Sequence, residues 1–102
     1  LIARHVIHTV GPVYGTYAPY EATRLLRRCY TESLAVAAKL RARTVAFPLI
    51  SSGVYGWPPE DAILQAVKAV QSARSTVQVV RLVVFDQDTF RLALSVMADC
   101  GC

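Results

Sequence analysis

The sequence predicts an α/β fold in which strands and helices alternate, and three observations predict it. Three short runs rich in β-branched residues, 4–10 (RHVIHTV), 44–50 (TVAFPLI) and 77–85 (VQVVRLVVF), are separated by segments whose apolar residues recur at helical spacing. The last two runs are almost continuously apolar, the mark of strands buried on both faces. Strands alternating with helices imply parallel pairing through right-handed crossovers. At 102 residues, one domain is the ceiling.

The elements follow in the order β-α-β-α-β-α. The first run stops at Gly11-Pro12, a turn signal, and loop continues through Pro19. From about Tyr20 to Ala42, Leu26, Tyr30, Leu34 and Ala37, with Leu25, Cys29 and Ser33 beside them, form one helical stripe. Lys39, Arg41 and Arg43 crowd its last turn, where positive charge suits the helix dipole. After the second strand, Pro58 and Pro59 announce a helix with Glu60 and Asp61 in its first turn and Ile63, Val67 and Val70 on its buried face. A polar patch, 71–76, separates it from the third strand, where Arg81 is the one charge. Asp86, Gln87 and Asp88 then offer caps for a last helix, on which Phe90, Leu94 and Met97 mark the expected core face.

Composition narrows the function classes. With 54% hydrophobic and 18% charged residues the chain is too apolar for disorder and too interrupted for a membrane span, so a soluble globular domain is expected. A net charge of +4 suits an anionic ligand but falls short of a nucleic-acid footprint. Cys29, Cys100 and Cys102 form no even framework, which favours a reducing, cytoplasmic setting. No zinc spacing is matched, no metal or cofactor is implied, and the terminal Cys-Gly-Cys reads as a frayed tail. The chain starts at Leu1 without a signal-peptide pattern, so it reads as beginning inside a larger unit.

The chemistry concentrates in FPLISSGVYGWPPEDA, residues 47–62. In open α/β sheets ligands collect outside the carboxyl ends of strands, and residues 49–58 leave such an end. Gly53 and Gly56 allow close backbone approach, successive amides in such a turn form a concavity for phosphate, and Ser51 and Ser52 add hydroxyls. The bland alternative is a strand-to-helix connection with glycines for turns and prolines for a clean helix start, and local pattern leaves the two open. A diphosphate there would require Glu60 and Asp61 to point away. Other residues carry less: Ser51 and Ser52 lack a base, His8 reads as a core histidine, Cys29 as a small hydrophobe, and Arg24, Arg27 and Arg28 as a solvated helix face. Phe85-Asp86, at the end of the third strand, either borders the same crevice or packs in the core.

Four stretches, VIHTVGPVY at 6–14, LLRRCYTESLAVAA at 25–38, AFPLISSGVYGWP at 46–58 and VVFD at 83–86, together resemble the macro domain family over nearly the whole chain. The family binds ADP-ribose and in several branches hydrolyses ADP-ribosyl or O-acetyl-ADP-ribose esters. The resemblance implies a three-layer α/β/α sheet, of which this chain holds a β-α-β-α-β-α portion lacking the amino-terminal strands.

By that resemblance, Ser51, Ser52, Gly53, Val54, Tyr55 and Gly56 wrap the diphosphate with their amides, and Tyr55 lies against the distal ribose. Pro48 fits the strand end before the loop, Phe85 borders adenine, and Asp86 is adjacent. The family's catalytic loop is Asn-rich and Gly-rich, whereas this chain contains no asparagine and no Gly-Gly-Gly run, so no catalytic residue is assigned. Three functions follow: the diphosphate loop of an ester hydrolase, a non-catalytic ADP-ribose-binding module, or an inactive fragment that self-associates through an exposed sheet edge. The implied partner is ADP-ribose or an ADP-ribosylated substrate, with neither a membrane nor nucleic acid.

Overall fold

The computed structural model describes residues 3–101. Helix α1 spans Pro19–Lys39, strand β1 Thr44–Pro48, helix α2 Pro59–Ser72, strand β2 Val79–Val83 and helix α3 Gln87–Asp99. Proline lies in the first turn of both α1 and α2, where its missing N–H costs nothing and its fixed φ suits the helix. Helix α1 ends in a Schellman arrangement: Arg41, at φ 57, donates its N–H to the Ala38 carbonyl and Ala42 donates to Ala37.

The two strands pair in parallel, with Thr44 opposite Val79 and Pro48 opposite Val83, joined by the α2 crossover. Alternation along each strand then divides the sheet. Val45, Phe47, Val80 and Leu82 pack against the helices, around Leu26, Tyr30 and Leu34 of α1 and Ala62 and Ala66 of α2. A second cluster joins Ile63 and Val67 of α2 to Ala93 and Val96 of α3, with Leu82 against it, so α3 lies on the same side as α2.

The α/β alternation holds, and three details differ from expectation. Residues 4–10 form no strand: they run as coil, and His8 is exposed instead of buried in a core. Strand propensity is realised only when backbone groups meet a partner, and no described strand lies beside this segment. The strands are buried on one face alone, because Thr44, Ala46, Pro48, Val79, Arg81 and Val83 are exposed and no described element covers them. Finally, Phe90, Leu94 and Met97 of α3 remain exposed while the small Ala93 and Val96 face the core. Two stripes can be drawn at helical spacing on α3, and side-chain bulk favours the wrong one.

Candidate ligand-binding loop at the carboxyl edge of the sheet

Residues 49–58 leave the carboxyl end of β1 and lead into α2. Because Pro48 lies opposite Val83, the segment carrying Phe85 and Asp86 leaves the same edge of the sheet. The loop is anchored first by its entry. Ile50 donates its backbone N–H to the Tyr30 hydroxyl at 3.0 Å, and the buried Tyr30 ring meets Phe47 edge-on with centroids 5.0 Å apart. Burial pushes the Tyr30 phenol up to about 12, against the pull of the Ile50 N–H in the other direction.

The loop then closes on itself. Ser52 donates to the Leu49 carbonyl at 3.3 Å, Gly56 to Gly53 at 3.0 Å and Trp57 to Ser51 at 2.8 Å. Gly56 supplies a φ of 79°, which a side chain would resist, whereas Ser51 adopts φ 66° without being glycine. The Ser51 hydroxyl is buried with no hydrogen-bond partner among the described residues. These internal bonds leave the N–H groups of Ser51, Gly53, Val54 and Tyr55 without an acceptor among the described residues. Val54 is fully exposed at the tip, and a Cβ on Gly53 would meet nothing within 4 Å, so three consecutive free amides stand on an open part of the loop.

Two flanking elements hold this shape. Gly11 lies so close that a Cβ there would overlap the Ser51 hydroxyl and approach Ile50 Cγ2 to 2.5 Å. Tyr14 donates its N–H to the Tyr55 carbonyl at 2.9 Å and sets its ring against Trp57, centroids 5.2 Å apart at 67°. On the helix side, buried Trp57 donates Nε1–H to Asp61 Oδ2 at 2.8 Å. Gln65 Nε2 donates to Asp61 Oδ1 at 3.1 Å, and Arg27 Nε donates to Gln65 Oε1 at 2.6 Å. The Asp61 carboxylate is therefore held by two neutral donors, Trp57 and Gln65, which fix its orientation and leave its negative charge at this helix start. The loop itself carries no cationic side chain, so its affinity for an anion would come from free amides and the amino end of α2.

The remaining predicted residues are placed separately. Phe85 is 91% exposed, which ends its reading as a core residue, and with Val84, Asp86, Gln87 and Phe90 it lines a shallow groove of about 280 Å³. Asp86 caps α3 by accepting the Thr89 N–H at 2.8 Å, and that bond holds its carboxyl below the usual range. Pro48 is exposed at the end of β1. No hydrogen bond or ring contact joins Phe85 or Asp86 to residues 51–56. Of the three arginines, Arg24 pairs with Glu21 at 2.6 Å and Arg28 pairs with Glu32, as a solvated face would, but Arg27 turns inward to Gln65. Cys29 is buried in the helix stripe, and Cys102 of the expected frayed tail lies outside the described residues. Among the described residues no three metal-ligating side chains gather, and no helix is long and apolar enough to cross a membrane.

Sequence reasoning missed the bracing residues: Gly11, Tyr14, the Tyr30 hydroxyl, Trp57 and Gln65. One signal was available, since Asp61 and Gln65 are spaced four apart in the first turns of α2 and share one face, with Trp57 just ahead of the helix start.

Fold and loop together define an α/β module that presents free backbone amides at the carboxyl edge of parallel strands. The chain belongs to the macro domain family, whose sequence model matches residues 1–66. It is 52% identical over 86 residues to a macro domain-containing protein of Streptomyces coelicolor, an overlap of 84% of this chain and 50% of that one. A macro domain-containing protein of Streptomyces nogalater is 50% identical over 93 residues, covering 88% of this chain and 50% of its own length. Among solved structures, the Oceanobacillus iheyensis macrodomain with ADP superposes with a TM-score of 0.85 at 27% identity, over 91% of this chain and 50% of that one. A Trypanosoma brucei macrodomain in complex with ADP-ribose gives a TM-score of 0.63 at 26% identity, over 72% and 33% of the two chains. The chain thus spans about half the length of the curated relatives it matches.

Proposed function

We propose that this chain binds ADP-ribose or an ADP-ribose derivative, with the amides of residues 51–56 receiving the diphosphate, Tyr55 beside the distal ribose, and Pro48, Phe85 and Asp86 on the adenine side. The single observation carrying this reading is the run of free N–H groups at Gly53, Val54 and Tyr55, standing on open space at the carboxyl edge. A diphosphate offers several acceptor oxygens and negative charge, and backbone amides bind both without the desolvation cost of an ionised side chain. Exposed Phe85 supplies an aromatic face at the same edge, suited to a purine. Macrodomains solved with ADP and with ADP-ribose support the ligand class.

In this proposal the chain acts as part of a macro domain that hydrolyses ADP-ribosyl or O-acetyl-ADP-ribose esters. Hydrolysis needs an oriented water and a general base. Residues 51–56 hold no ionisable side chain besides the Tyr55 phenol, so they supply binding, and the cleaving step rests on groups outside the loop. A non-catalytic binding module is the second reading, favoured by the chain's lack of any asparagine to match the family's catalytic loop. A reducing, cytoplasmic setting suits the unbridged Cys29 and Cys100. The outer edges of β1 and β2, which have no strand partner among the described residues, further support association between copies.

Calorimetric titration with ADP-ribose, ADP and adenosine, paired with a chromatographic assay of O-acetyl-ADP-ribose, tests the reading. Heat with ADP-ribose and ADP supports the diphosphate loop, and turnover separates hydrolase from binding module. No heat with any of the three overturns it for this chain.

A further inference from the structure

The 51–56 loop holds its open shape although its own tip makes few contacts, so something beside it must set its geometry. Three bonded links converge on Trp57, the residue that closes the loop. Its backbone N–H holds the Ser51 carbonyl at 2.8 Å, its ring takes the edge of Tyr14 at 5.2 Å, and its Nε1–H holds Asp61 Oδ2 at 2.8 Å. Behind Asp61 the donors run in one direction, Gln65 Nε2 to Asp61 Oδ1 and Arg27 Nε to Gln65 Oε1. Both Asp61 oxygens are thereby filled from inside the protein, one by the loop's indole and the other through Gln65 by α1.

We infer that Asp61 is a positioning residue for the diphosphate loop: through Trp57 it locks the loop in the conformation that leaves the Gly53, Val54 and Tyr55 amides open, without touching the ligand itself. The inference rests on the proposed diphosphate reading for its ligand arm and on the hydrogen-bond chain alone for its loop arm. The chain's direction makes it sensitive to one atom. Trp57 Nε1–H and Gln65 Nε2–H donate to different oxygens of Asp61, so an amide at position 61 sets its N–H₂ against one of these two donors, and a Gln65 flipped to accept from it would turn its own N–H₂ toward Arg27. Phenylalanine at position 57 keeps the ring against Tyr14 but strips one acceptor oxygen of its donor. Either change releases the loop from α2 while leaving the core of α1, α2 and the sheet in place.

The test uses the 102-residue chain and the variants Asp61→Asn and Trp57→Phe, each checked for wild-type helix content by circular dichroism at a temperature well below its unfolding midpoint. ADP and ADP-ribose are expected to bind each variant about tenfold more weakly, the loss of one hydrogen bond to a charged group, while adenosine binding is unchanged. A general loss of structure would weaken all three ligands together. Hydrogen exchange at the bonded loop amides of residues 52, 56 and 57 provides the arm that needs no ligand: exchange in both variants should be faster than in the parent chain, with Ile63 and Leu64 unaffected. The emission of the single tryptophan should shift in Asp61→Asn as its indole loses the carboxylate. If the parent chain binds nothing, the proposed function fails while the exchange arm still decides the lock. Unchanged diphosphate affinity, or unchanged loop exchange, overturns the positioning role.

Discussion

The Tyr30 hydroxyl, on a ring with no solvent exposure, accepts the backbone N–H of Ile50 at 3.0 Å and so ties the middle of α1 to the first residues of the loop after β1. Burial keeps this phenol protonated well past its ordinary range, with its pKa raised to about 12. The sign follows from proton counting: above pH ~10 the unfolded chain releases this proton while the folded chain keeps it, so the contribution is whole below pH ~10 and is lost as pH rises toward ~12. Urea unfolding of the parent chain should therefore show stability falling by roughly 2 kcal/mol across that window. Tyr30→Phe should remove this slope and, by orphaning the Ile50 amide, cost about 1–3 kcal/mol at neutral pH. An identical high-pH slope in Tyr30→Phe would show that Tyr30 is not its source.

Gly11 is required by proximity. Its Cα passes so near Ile50 and Ser51 that a methyl group would come 2.5 Å from Ile50 Cγ2 and overlap the Ser51 hydroxyl, which is already buried without a partner. Gly11→Ala should lower stability by about 1–3 kcal/mol, a typical overpacking cost. It should also speed hydrogen exchange at the bonded amides of Ile50 and Ser52. A variant that melts with the parent would mean that residues 9–12 shift away easily and do not brace the loop.

The two loop glycines should separate by experiment. Gly56 adopts φ 79°, so Gly56→Ala should cost about 1 kcal/mol of stability. Gly53 has no such strain and faces open space, so Gly53→Val should leave the melting midpoint within a degree or two. Its added bulk stands where a diphosphate would lie, and ADP-ribose affinity should fall at least tenfold by titration. Undiminished affinity in Gly53→Val would end the amide-cradle account.

These residues also show how much the sequence could reveal. Periodicity located α1 and α2, whose long stripes bury Leu26, Tyr30, Leu34 and Ile63, because one helical face repeats often enough to be unambiguous. It located the loop, because glycine and proline punctuate it. It misread Phe90, Leu94 and Met97, because the core contacts of α3 are made by the smaller Ala93 and Val96. Residues 4–10 have the composition of a strand, yet pairing depends on what lies alongside, which no local pattern encodes. The bracing of the loop by Gly11, Tyr14 and Tyr30 joins residues distant in the chain, and distance in sequence hides it.

The bare sheet face carries the last expectation. Val79 and Val83 are 41% and 44% exposed, with Ala46 beside them, and both strands have an outer edge with no described partner. Unpaired edges next to apolar side chains favour strand-to-strand association. Sedimentation of the chain should show reversible oligomers that grow with concentration. A lysine placed on that face beside Arg81, as Val83→Lys, should shift the equilibrium toward monomer without changing helix content, because bringing two such faces together would then desolvate and oppose like charges. Salt should weaken this effect, since the added repulsion between exposed charges is screened. If the parent chain sediments as a monomer throughout, or if Val83→Lys associates as strongly as the parent, the sheet face is not the surface through which copies meet.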